Sequence, residues 1–170
     1  LTQKTGVDLP GESCGIMFDY KNFHELEQAT VAFGQGISVT PLQLVTAISA
    51  CVNGGYLLQP HILKEVRNNN NEIIYQAKRK VKRQVIKEET AKKVRDALES
   101  VVTDGGGRKA YIDGYRIGGK TGTAQKAVNG SYVGGGYILS FVGIAPIDDP
   151  QIVLYIAMDN PKNCIQYGGT

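Results

Sequence analysis

Apolar positions fall into stretches of different period along the chain. Leu44, Val45, Ile48, Cys51 and Val52 make one broad stripe at helical spacing. Thr40-Pro41-Leu42-Gln43 precedes it: Thr40 can cap, Pro41 suits the first helical position and Gln43 completes a capping box. Gly54-Gly55 stop it, so the pattern predicts a buried helix over 41–53. Val94, Leu98, Val101 and Val102 repeat the signal and predict a helix over 87–103, ended by Gly105-Gly106-Gly107. A shorter helix is expected over 22–30, with Asn22 as its cap. Residues 61–67 and 72–77 read as strands around Asn68-Asn69-Asn70-Asn71, since Asn tolerates the left-handed geometry of turns.

The final third changes character. Tyr115-Arg116-Ile117 leads into Gly118-Gly119-Lys120-Thr121-Gly122-Thr123-Ala124, a strand with little side-chain bulk. Tyr137 to Pro146 is a second strand. Ile152 to Met158 is a third, apolar at nearly every position and therefore expected to be buried on both faces. Short connections favour antiparallel neighbours. Helices followed by such a meander make an α+β fold, an antiparallel sheet packed with helices.

Composition narrows the class. The 170 residues suit one domain, with 42% hydrophobic and 21% charged residues, as in ordinary globular chains. No run of about 18 apolar residues is present, the length a membrane-spanning helix needs. The net charge of +3 is unevenly placed: residues 64–95 carry 11 of the 19 basic residues and 4 acidic ones. The densest run, Lys78 to Arg83, reads as a solvated connector or as a patch for a polyanion. It lacks the interleaved aromatics of single-stranded nucleic-acid binders, so no nucleic-acid partner is expected. Cys14, Cys51 and Cys164 form no CxxC pair, and His24 and His61 lie at no ligand spacing. Neither a metal site nor a cofactor is expected. Cys51 reads as a small core residue.

Glycine is in excess, 21 residues, and it concentrates chemistry at 118–123. That segment has three readings. Gly114 to Thr121 satisfies the GxxxxGK[ST] phosphate-loop pattern, but a strand-like Tyr-Arg-Ile inside it and no helix start after it speak against that context. The glycines can instead be structural, allowing a bulge or close packing. Or the strand can bind a ligand along its backbone, as strand addition does. Alternation then sets Lys120 and Gly122 on one side and Thr121 and Thr123 on the other. Hydroxyls beside a cation suit a carboxylate, and a backbone N–H next to Thr123 can stabilise an oxyanion.

Lys120-Thr121-Gly122-Thr123-Ala124 resembles the KTG box of penicillin-binding proteins, which accompanies an SxxK and an SxN box. Thr5-Gly6-Val7-Asp8-Leu9-Pro10-Gly11-Glu12 resembles the TGIDLPGE segment of class B members. Gly34-Gln35-Gly36 followed by Thr40-Pro41-Leu42-Gln43 resembles their GQG and TPLQ segments, and Ser140 to Pro146 resembles the strand after the KTG box. These segments run in family order over essentially the whole chain, and division and sporulation transpeptidases are the nearest type.

The resemblance implies part of a penicillin-binding-protein or serine β-lactamase-like transpeptidase fold. No Ser has Lys three residues later or Asn two residues later. Tyr20-Lys21-Asn22 mimics a variant of the second box but follows the DLPGE segment, so it is read as coincidence. Residues 1–170 are thus expected to be the C-terminal part of one transpeptidase domain, the SxxK and SxN part being absent. Leu1 in place of an initiator Met agrees with a piece of something longer. By resemblance, the complete protein cross-links peptidoglycan stem peptides through an acyl-serine and binds β-lactam antibiotics. It does so at the extracytoplasmic face of the bacterial membrane, anchored by a segment outside this chain. Lys120 and Thr123 are implied as catalytic, Thr123 through its N–H in the oxyanion hole. Thr121 and Thr123 are implied to bind the carboxylate, Gly122 to keep the strand accessible, and Gln35 and Gly36 to shape the surroundings. The isolated chain is expected to be inactive. Its last strand, left as an apolar edge, is expected to be covered by the missing half or by self-association. The alternative reading is a non-catalytic β-lactam sensor or binding module.

Overall fold

The computed structural model describes residues 2–19, 21, 23–128, 132 and 136–169. The first helix, α1, spans Glu25–Ala32. It starts later than expected because His24, whose N–H donates to the Glu27 carboxylate at 3.0 Å, flanks it; Asn22 lies outside the described residues. Helix α2, Pro41–Val52, carries the anticipated capping box. The Gln43 N–H donates to Thr40 Oγ1 at 3.1 Å, and the Thr40 N–H donates to Gln43 Oε1 at 3.0 Å. Helix α3 spans Glu88–Thr103. The Gly107 N–H caps its end by donating to the Val101 carbonyl at 2.9 Å, and a single 3₁₀ turn, Arg108–Ala110, follows.

Two small hairpin-like sheets lie between α2 and α3. Strand β1, Tyr56–Leu58, pairs antiparallel with β4, Val81–Gln84. Strand β2, Glu65–Arg67, pairs with β3, Ile73–Gln76, across the Asn-rich turn, where Asn71 takes φ 65°. Two expectations are corrected here. The basic run is not merely a connector: Val81, Lys82 and Arg83 belong to β4, a strand too polar to announce itself by alternation. And β2 is shorter than 61–67, because the Ile62 and Leu63 amides donate to the Asp8 carboxylate, at 2.7 and 2.9 Å, rather than to a neighbouring strand.

The main sheet has the order β5-β6-β7, antiparallel throughout. Its strands are β5 at Gly118–Gln125, β6 at Tyr137–Ala145 and β7 at Ile152–Asp159. Tyr115 to Ile117 do not join β5. The Arg116 carbonyl accepts from Ile147 N–H, and its guanidinium forks onto Glu99 of α3 at 2.8 and 2.7 Å. β6 stops before Pro146, which has no N–H to offer a ladder.

The period of two decides what is buried. Val142 and Ile144 of β6 stand opposite Tyr155 and Val153 of β7, on one face. Val52 of α2 and Ile147 complete this core, with Ile48, Val94 and Leu98 packed around it. Fully burying one such side chain is worth about 1.5–3 kcal/mol. The other face of β7 does not match the expectation of burial on both sides. Ile152, Leu154, Ile156 and Met158 are 61%, 54%, 54% and 55% exposed. The physical reason is that α2 and α3 cover only the side that carries Val153 and Tyr155.

Candidate functional site

Among the described residues strand β5 pairs on one side, with β6, over the full register from Gly118↔Ile144 to Gln125↔Tyr137. Its other edge bounds the sheet. The alternation expected from sequence is present: Lys120 and Gly122 stand opposite Val142 and Ser140, and Thr121 and Thr123 opposite Phe141 and Leu139. Lys120 is exposed, and its ammonium donates to the Thr121 carbonyl at 2.8 Å. No ion pair among the described residues involves it. Among the described residues its ammonium meets that carbonyl and no carboxylate.

Thr121 is half-buried and lines a cleft of about 270 Å³ on the face away from α2. Leu139, Phe141, Ile156 and Met158 form the apolar floor; Gly106 and Tyr167 form the rim. Thr123 is exposed, and its Oγ1 accepts the N–H of Gly168 at 2.9 Å. The three residues expected to meet a ligand thus lie within four positions of one edge strand.

The glycines of β5 show their reason in what a Cβ would meet. At Gly118 it would come within 2.4 Å of the Ile147 side chain, and at Gly119 within 2.4 Å of the Phe141 ring and 2.7 Å of the Val142 carbonyl. At Gly122 it would come within 2.5 Å of Ser140 Oγ. Close packing therefore requires glycine at 119, where a Cβ would meet a backbone oxygen, while at 118 and 122 the nearest atoms belong to side chains. The phosphate-loop reading fails, because 118–125 is strand and no helix follows it among the described residues.

Gln35 and Gly36 sit in the turn that ends α1. The Gln35 N–H donates to the Thr30 carbonyl at 3.0 Å, and Gly36 takes φ 78° with Phe18 close by. The Gly36 N–H donates to the Tyr132 hydroxyl at 3.2 Å, and Tyr132 lies in the connection between β5 and β6. The turn is thereby tied to that connection, while no hydrogen bond among the described residues joins Gln35 to Lys120, Thr121 or Thr123.

The Thr5–Glu12 segment turns out to be a clasp. Glu12 accepts from the Thr5 N–H at 2.6 Å, from the Gly6 N–H at 3.0 Å and from the Thr5 hydroxyl. Asp8 holds the start of the β2 region, Lys82 of β4 donates to the Thr5 carbonyl and Gln59 to that of Gly6. Both carboxyls are held below their ordinary range: Asp8 chiefly by the Ile62 and Leu63 amides, Glu12 chiefly by the Thr5 hydroxyl. Burial pushes the Cys51 thiol up, in keeping with a packing role.

Sequence reading missed Gly168. Its signal was the Gly168-Gly169 pair, whose partner is 45 residues away and invisible to any local pattern.

The whole chain, residues 1–170, matches the penicillin binding protein transpeptidase domain family. It is 54% identical over 169 residues to stage V sporulation protein D of Bacillus subtilis, covering 99% of this chain and 26% of that protein. It is 36% identical over 161 residues to the probable peptidoglycan D,D-transpeptidase PenA of Neisseria meningitidis, covering 94% of this chain and 26% of that one. Apo penicillin binding protein 3 of Mycobacterium tuberculosis superposes with a TM-score of 0.87 at 35% identity, over 95% of this chain and 38% of the solved one. That protein has also been solved with aztreonam and with ampicillin. The chain spans about a quarter of the length of these curated relatives. Family match, sequence identity and superposition agree, and the chain belongs to the transpeptidase domain family of class B penicillin-binding proteins.

Proposed function

We propose that this chain is the C-terminal part of the transpeptidase domain of a peptidoglycan D,D-transpeptidase, and that β5 is its substrate strand. The observation that carries the reading is β5 itself: an edge strand of small residues that holds Lys120, Thr121 and Thr123 beside an edge that pairs with no other strand among the described residues. A stem peptide ending in a carboxylate, or a β-lactam of the same shape, lies along that edge as an added strand. The hydroxyls of Thr121 and Thr123 take its carboxylate by charge-assisted hydrogen bonds, and the nearby ammonium of Lys120 favours the negative charge.

The reaction needs a serine and its base, which the resemblance places outside these 170 residues. The serine oxygen attacks the penultimate carbonyl of the donor peptide. Negative charge gathers on the carbonyl oxygen, where the Thr123 N–H is a donor. The terminal amino acid leaves with a proton, and the amine of a second stem peptide then takes the acyl group from the serine. Gln35 and Gly36 act at a distance, by holding the α1 turn against the β5–β6 connection. The half-exposed face of β7 supports a further element of the reading: more chain of the same domain, or a second copy, covers Ile152, Leu154, Ile156 and Met158. No helix among the described residues is long and apolar enough to cross a membrane, so anchoring at the outer face of the membrane rests with other segments.

The test uses the complete protein and benzylpenicillin, read by intact mass. The wild type gains one drug mass. Lys120→Ala lowers the acylation rate by about 100-fold or more, the scale seen when a preorganised electrostatic donor is removed. The isolated chain gains no mass. An unchanged rate in Lys120→Ala, or an adduct on the isolated chain, overturns the reading. Drug capture by a protein that cannot cross-link stem peptides points to the sensor instead.

A further inference from the structure

The contact between the C-terminal segment and β5 is backbone against backbone. A Cβ at Gly168 would lie 2.3 Å from the Gly122 carbonyl oxygen and 3.1 Å from Thr123 Oγ1; at Gly169 it would lie 3.0 Å from the Gly106 carbonyl oxygen. Gly168 therefore lets the chain seat on β5 at a distance no side chain permits, and Gly169 allows a similar approach to Gly106. The seat brings the Gly168 N–H to 2.9 Å from Thr123 Oγ1.

A threonine hydroxyl has one proton to give and two lone pairs to receive with. An amide N–H is a donor only, so it fixes one lone pair inward. The hydroxyl proton must then point elsewhere, and Thr123 is exposed. Without the amide, the hydroxyl rotates freely and spends part of its time with a lone pair facing an incoming carboxylate, which is repulsive.

We propose that the backbone N–H of Gly168 fixes the Thr123 hydroxyl as a donor, which makes Gly168 a positioning residue for recognition of the ligand carboxylate. The inference rests on the reading of β5 as the substrate strand. It explains why the chain returns to β5 after the last strand: the seat orients a side chain that would otherwise be free.

The test uses the complete protein and two probes, benzylpenicillin and its methyl ester, which differ only at the carboxylate. Second-order acylation rates are measured for wild type, Thr123→Val, Gly168→Ala and the double variant. Because Gly168→Ala brings a Cβ onto a backbone oxygen, a second variant replaces Gly168 by glycolate through semisynthesis. It exchanges the N–H for an ester oxygen and adds no atom to the side. A hydrogen bond to a charged group corresponds to a factor of about 10 to 100. The glycolate variant is therefore expected to lose about tenfold in rate with benzylpenicillin and less than about threefold with the ester. Combined with Thr123→Val, it is expected to lose nothing further. Equal losses on both probes, or the same loss with and without the Thr123 hydroxyl, overturn the proposal and leave a merely structural seat. If wild type does not distinguish the two probes, or Thr123→Val acylates normally, the reading of β5 itself fails. The two failures are therefore told apart.

Discussion

The Thr5–Glu12 clasp and strand β5 both stand out in the sequence, both combine threonine, glycine and charge, and they use those groups in opposite ways. In the clasp nearly every polar group is turned inward. Glu12 accepts from Thr5 and Gly6, Asp8 from two amides more than 50 residues away, and the backbone carbonyls of Thr5 and Gly6 receive Lys82 and Gln59. In β5 the backbone pairs with β6 on one side and with no other strand among the described residues, Lys120 holds no counter-ion among them, and the Thr123 hydroxyl keeps its proton. A polar group satisfied within the fold contributes to stability. One left oriented but unsatisfied at an exposed edge is ready for a ligand, and water covers it until the ligand comes.

Substitutions should separate the two regions. The largest stability effect is expected in the floor of β5. Gly119→Val drives a side chain into the Phe141 ring and the Val142 carbonyl, and should cost about 3 kcal/mol or more in urea unfolding of the complete protein. Ile144→Ala, in the core beneath the same strand, should cost about 2–5 kcal/mol by the same measurement. The next contrast is functional. Thr123→Val should lower penicillin acylation by about 10- to 100-fold with an unfolding midpoint close to wild type. Asp8→Asn should do the reverse, lowering the midpoint and leaving acylation of the folded enzyme intact. A Thr123→Val protein that is destabilised but reacts normally breaks the distinction.

Smaller still is a pH effect confined to the clasp. The carboxyls of Asp8 and Glu12 titrate below their ordinary values in the folded state. Their contribution is therefore fully present above the unfolded carboxylate range, about pH 4–5, and is lost as pH falls through the lower folded values. Glu12→Gln should lower the thermal midpoint at neutral pH, and the gap to wild type should narrow as pH falls below the unfolded carboxylate range. A gap that is constant with pH removes the charge from the explanation. The smallest effect is expected for Arg116→Gln. Its fork onto Glu99 lies on an exposed surface, so the midpoint should move slightly, and less at about 1 M salt.

Helix α2 could be read to within one residue because its cap, its first-turn proline and its apolar stripe all lie within the element itself. α3 and β6 were read as closely, from an apolar stripe at helical spacing and an apolar run respectively. β4 was not legible: a Lys- and Arg-rich segment becomes a strand only because β1 offers it a partner. β2 lost its first residues to a carboxylate 54 positions away. Lys120, Thr121 and Thr123 were legible as a constellation, since strand alternation fixes their sides without tertiary help. The role of the glycines beside them was not, since it depends on Ile147, Phe141 and Ser140 across the packing interface.

The helices, the antiparallel meander and the placement of Lys120, Thr121 and Thr123 on β5 were therefore written into the order of residues, because period, capping and alternation are local properties of the chain. Packing in three dimensions was needed to settle that one face of β7 stays open, that the Thr5–Glu12 motif is architectural and that Gly168 seats against Thr123. Each of these depends on groups far apart in sequence meeting at hydrogen-bond or van der Waals distance, and no local pattern records such a meeting.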